Sequence, residues 1–140
     1  ENLFFSGRTA SNLVKLLSTE EIEGVHDSQY NCHSAANFVL DNDNRLFWHE
    51  AHPLVRGIPS RELQSVEQFE EFLGTPFGLQ MDNPLRGVSH SGIYLGKLGE
   101  TRLVLHKDGP NALRLDDFDI AVRRYSILTL LGFYPSNNIG

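Results

Sequence analysis

Residues 87–107 carry two β-rich runs, GVSHSGIYLG and TRLVLHK, joined through Lys97, Leu98, Gly99 and Glu100. That arrangement predicts an antiparallel hairpin. A three-residue loop at Lys97-Leu98-Gly99, with Gly99 left-handed, leaves Gly96 and Glu100 as the pair that flanks it. This register sets His90 directly opposite His106 on one face, with Cβ atoms about 5 Å apart. Ile93, Leu95, Leu103 and Leu105 fall on the other face and form a core side. Gly92 is expected to leave open space beside His90. A two-residue loop at Leu98-Gly99 would instead turn His106 to the opposite face.

Two facing imidazoles have a chemical use. One can take a thiol proton while the other holds it in the right tautomer, as in nucleophile–base–orienter triads. The candidate nucleophile is Cys32, the single cysteine of the chain, in QYNCHSAANFVL. Asn31 is a good N-cap, so a helix is expected over residues 32–40 with Cys32 at its first position. Unpaired N–H groups and the helix dipole favour a thiolate there. Ser34, Ala35 and Ala36 keep the first turn small, which suits tight packing on a sheet or room for a substrate beside the sulfur. Taken singly, a lone cysteine is more often a small buried hydrophobe and each histidine an ordinary strand residue. The catalytic reading rests on their combination.

The remaining chain reads as helices followed by strands. TASNLVKLL (residues 9–17) is amphipathic, and Ser18 or Thr19 could cap a further turn that stops at Gly24. Ser65 and Gln68 in SVEQFEEFLG form a capping-box pattern, with Phe69, Phe72 and Leu73 as the buried face and Gly74 as the stop. FGLQM, ALRL and YSILTLLGFY add strand signals to the hairpin. This order predicts a single α+β domain with a mainly antiparallel sheet, over residues 8–140. ENLFFSG resembles the recognition site of a viral protease used to remove purification tags, so residues 1–7 are expected to be a tag remnant.

Net charge is −6, pI is near 5.4, and Lys and Arg are scattered. Phosphate backbones and anionic membranes call for clustered positive charge, so neither nucleic acid nor membrane is an expected partner. No apolar run approaches the roughly 20 residues that cross a bilayer. One cysteine excludes an internal disulfide and a multi-thiolate zinc site. No cofactor and no metal are expected.

Local sequence adds a resemblance. HSGIYLG, residues 90–96, resembles the HVGIYLG strand of the NlpC-type cysteine peptidases of the papain-like superfamily. The order Cys32, His90 after 58 residues and His106 after 16 more is similar to that family, and GPNALRLDDF resembles the segment that follows its third residue. The resemblance spans roughly residues 29–120. It implies a papain-like α+β fold, with the nucleophile helix packed on an antiparallel sheet. It also implies amide hydrolysis through an acyl-enzyme, commonly on bacterial cell-wall peptides. Cys32 would be the nucleophile, His90 the general base and His106 the orienting residue. The family usually reads Asp-Cys-Ser-Gly where this chain has Asn31-Cys32-His33-Ser34, and its upstream tyrosine and glycine pair are not evident. Tyr30, Asn31, His33 and Tyr94 are oxyanion or cleft candidates. NCHS is closer to secreted bacterial toxins and effectors of papain-like fold, which cleave, deamidate or acylate proteins. That branch implies secretion, the periplasm or delivery into a target cell, with a target or immunity protein as partner. A binding module that keeps the fold without catalysis is the third reading.

Other motifs carry less. HEAH, His49 to His52, is one residue short of the zinc signature HExxH and is followed by Pro53. DNDN, residues 41–44, lacks the glycine and distal glutamate of a calcium loop. DDFD, residues 116–119, reads as a solvated turn. His26-Asp27 reads as loop, and Phe47 with Trp48 as core.

Overall fold

A computed structural model of the chain describes residues 11, 12, 14, 15, 32–40, 60–73, 76–107 and 113–133. The tag-like residues 1–7, Tyr30 and Asn31, and the motifs at 18–27, 41–44 and 47–52 lie outside them. Helix α1 is Cys32–Val39, strand β1 Ser60–Leu63, helix α2 Val66–Leu73, strand β2 Phe77–Asn83 and strand β3 Val88–Leu98. Strand β4 is Thr101–Lys107, strand β5 Leu113–Asp117, helix α3 Phe118–Arg124 and strand β6 Thr129–Phe133. Ser11, Asn12, Val14 and Lys15 are helical, within the expected amphipathic stretch. Among the described residues no helix is long and apolar enough to cross a membrane.

The six strands form one antiparallel sheet in the order β1-β6-β2-β3-β4-β5. The α+β class read from the sequence therefore holds. β2, β3 and β4 are consecutive hairpin neighbours, while β6 returns to pair with β2. β1 and α3 had no counterpart in the sequence reading, and YSILTLLGFY is a strand only from Thr129.

Strand alternation gives the sheet two buried faces. One carries Ile93, Leu95, Leu105 and Phe133, packed against Ala35 and Ala36 of α1 and Leu40 just beyond it. The other carries Phe77, Leu79, Met81, Tyr94 and Val104, packed against Val66 and Phe69 of α2 and Phe118 and Ala121 of α3. The small first turn of α1 does what its composition suggests: Ser34, Ala35 and Ala36 are all buried. On the second face Arg102 ties the layers together. It makes two hydrogen bonds to Glu67 of α2, at 2.8 and 2.9 Å, pairs with Asp119 of α3, and lies over the Phe118 ring.

The β3–β4 register differs from the expected one. The turn is Gly99-Glu100, with Leu98 opposite Thr101, rather than the three-residue loop Lys97-Leu98-Gly99. Gly99 does adopt the left-handed φ of +64°. An uninterrupted ladder from that turn would send the two histidines to opposite faces. A bulge between Tyr94 and Gly96 prevents it, with Gly96 at φ +110°, where glycine is at ease. The extra residue restores the parity. His106 then pairs with Gly92, and His90 lies diagonally across on the same face. Gly92 does not open space as expected. A Cβ there would lie 2.9 Å from Val104 Cγ2 and 3.2 Å from both Leu105 O and Met81 Cε. Gly92→Ala is therefore expected to lower stability by about 1–3 kcal/mol through overpacking, measured by denaturant unfolding.

Candidate active site

His90 and His106 are both buried and bonded to each other, His90 Nε2 to His106 Nδ1 at 2.8 Å. The chain continues from His106 Nε2 to Asp116 Oδ2 at 2.7 Å. A carboxylate only accepts, so His106 carries its proton on Nε2. Neutral His106 then accepts on Nδ1, which requires His90 to donate through Nε2. Neutral His90 is left with its basic lone pair on Nδ1. One carboxylate thus sets the tautomer of two rings in series, and a proton taken up at His90 Nδ1 is stabilised down the chain.

Asp116 belongs to the DDFD segment, which the sequence reading assigned to a solvated turn. The segment instead ends β5 and starts α3. Asp117 is the N-cap of α3 and accepts from the N–H groups of Asp119 and Ile120. The β4–β5 ladder puts Arg114 opposite His106, and Asp116, two residues on, shares that face. Its side chain is 15% exposed and is also held by Arg114 at 3.1 Å and Arg124 at 3.4 Å. Burial by itself would raise the Asp116 carboxyl. The hydrogen bond and charge of His106, with Arg114, more than offset this and hold it below the ordinary value. The unfolded chain therefore binds this proton more tightly than the folded one. The stability it contributes is complete above the ordinary aspartate range and disappears as pH falls through the lowered folded value. Thermal unfolding followed across acidic pH is expected to show Tm dropping below about pH 4, with a shallower drop in Asp116→Asn.

Tyr125 also escaped the sequence reading, because YSILTLLGFY looks like continuous strand. Its ring stacks on His90, with centroids 4.6 Å apart and planes 26° from parallel. The turn that presents it is fixed from β2. Asn83 Nδ2 donates to Ser126 O at 2.6 Å, and Leu128 N donates to Asp82 O at 2.8 Å. Ser126 has a left-handed φ of +54°, an uncommon conformation for serine.

Cys32 opens α1 as expected and is 6% exposed. α1 packs on the Ile93 and Leu105 face, whereas the imidazoles occupy the other. His33, next to Cys32, bonds Ser91 at 2.6 Å, while Ala35, Ala36 and Leu40 pack farther along β3. α1 therefore runs in the same sense as β3, with its head at the end where His90 lies. Among the described residues the β3–β4 pairing runs to Gly92–His106, and His106 reaches His90 diagonally from there. Tyr94, a cleft candidate from sequence, is instead a core residue against Phe77 and Phe118. Burial, reinforced by the charges of Glu70 and Glu67, pushes its hydroxyl well above the ordinary tyrosine range.

Among the described residues no group of three His, Cys, Asp or Glu side chains could hold a metal ion. Comparisons with family models, curated proteins and solved structures give no significant match to this chain.

Proposed function

We propose that the chain is a papain-like cysteine hydrolase that cleaves amide bonds, with Cys32 as nucleophile, His90 as base and His106 as orienting residue. The observation that carries this reading is the buried His90–His106–Asp116 chain, which aims all its donors one way and leaves His90 basic at Nδ1. Ordinary strand histidines do not need a second ring and a carboxylate in series. In this reading the sulfur reaches His90 from the head of α1, whose His33 bonds Ser91, the residue after His90.

The Cys32 thiol gives its proton to His90 Nδ1, and the thiolate attacks the amide carbonyl. A carbon–sulfur bond forms and the carbonyl π pair moves to oxygen. Collapse expels the amine, which takes the proton from His90, and leaves a thioester. Water then gives a proton to His90 and attacks the thioester, and the cysteine is regenerated with the free acid. The backbone N–H of Cys32 would be one donor to the oxyanion.

Bacterial cell-wall peptides are the first substrate class, and a protein target of a secreted effector is the second. The acidic chain weakly disfavours residence on an anionic wall. Incubation with purified muropeptides and with protein substrates, read by mass spectrometry, tests the reading. Loss of an amide-linked fragment, absent with Cys32→Ala, supports it; equal turnover by that variant contradicts it. The burial of Cys32 favours one rival, a binding module that keeps the fold, in which no substrate is turned over.

A further inference from the structure

A second directional chain occupies the other face of the sheet, and its far end is the head of α1. Gln80 on β2 donates through Nε2 to Asp82 Oδ1 and to Ser89 Oγ, both at 2.8 Å. Its amide oxygen therefore faces Ser91 and accepts the Ser91 hydroxyl at 3.0 Å. That commits the only proton on Ser91 Oγ. The 2.6 Å contact with His33 must then be a bond in which His33 donates through Nδ1. Gln80, Ser91 and His33 are all buried, so leaving any of them unpaired would be costly.

The geometry points to a latch: Gln80, Ser91 and His33 set the position of α1 along β3, and through it the placement of Cys32. Ala35, Ala36 and Phe38 of α1 add apolar contacts with the sheet, which carry no direction. Such contacts hold the helix down but define its sliding position poorly, whereas a short hydrogen bond at the head defines it within a fraction of an ångström. Nδ1–H is present in neutral and protonated imidazole alike, so the latch does not open when His33 takes a proton. By register the charged groups on this face among the described residues include Lys107, fully buried, Asp117, Glu62, and Asp82, which accepts from Gln80 at the β2 end. His33 is thus a positioning residue, one step removed from the chemistry.

The inference that the latch matters for catalysis rests on the cysteine hydrolase reading; the latch itself does not. Two readouts on the intact chain separate them. The first is amide hydrogen exchange across residues 32–36; the second is the pH profile of Cys32 alkylation by iodoacetamide. Ser91→Ala and His33→Ala are expected to speed exchange at the head of α1 about tenfold or more and to move the alkylation profile to higher pH. His33→Asn places an N–H donor where Nδ1 stands and is expected to restore both. Unchanged exchange in both alanine variants, or an asparagine variant no better than alanine, overturns the latch. If wild-type Cys32 reacts as an ordinary thiol, the hydrolase reading fails and the exchange rates alone decide the latch.

Discussion

Cys32→Ala is expected to abolish hydrolysis while the sheet stays intact. The substitution removes the only thiol of the chain and with it the thioester step. Structurally the change is small. Cysteine and alanine are close in size, and truncation at a site 6% exposed costs about 1 kcal/mol, or about 3 °C in Tm for a chain of this length. Side-by-side turnover and thermal melts make the check. A melt that collapses with activity would mean that Cys32 is a packing residue.

Asp116→Asn should show the second large effect. Asparagine can offer His106 either an oxygen or an N–H, so the carboxylate no longer dictates which nitrogen of each ring carries the proton. The negative charge that stabilises a protonated His90–His106 pair is also lost. General acid–base contributions of this kind are worth about 10²–10⁴ in rate, and kcat/KM is expected to fall by that order. KM should change little, since Asp116 lies behind both rings. Nitrogen-15 shifts of the imidazoles give an independent readout: His106 should carry its proton on Nε2 in the parent and show mixed tautomers in the variant. A kcat/KM within a few-fold of the parent would reduce Asp116 to a surface partner of Arg114 and Arg124.

The pairing of the two histidines was legible, though not for the expected reason. Apolar alternation at Ile93, Leu95, Leu103 and Leu105 marks one face of the hairpin, and the histidines fall on the other. The turn could not be read correctly, because Gly96 and Gly99 both accept positive φ and trade one loop residue for one bulge. The error was harmless, since moving the turn shifts the pairing by three, the bulge takes back one, and the net shift of two preserves the face. Asp116 was missed because a run of acids looks like a solvated turn when nothing shows its neighbours. Its partner is set by the β4–β5 ladder, a contact ten residues apart. Tyr125 left no signal, since the turn that presents it is held by Asn83, 43 residues away. His33 and Ser91 are two of the positions at which this chain differs from the motifs Asp-Cys-Ser-Gly and HVGIYLG that it resembles. The two departures bond each other, which a linear reading of either motif does not reveal.

The central claim is that His90, tuned through His106 and Asp116, activates the thiol of Cys32. The most direct measurement is the rate of Cys32 alkylation by iodoacetamide as a function of pH, in the parent and in His90→Ala. An activated thiolate reacts well below the ordinary thiol pKa of about 8.5, and the profile should return to that range when His90 is removed. Two superimposed profiles with midpoints near the ordinary value would contradict the account.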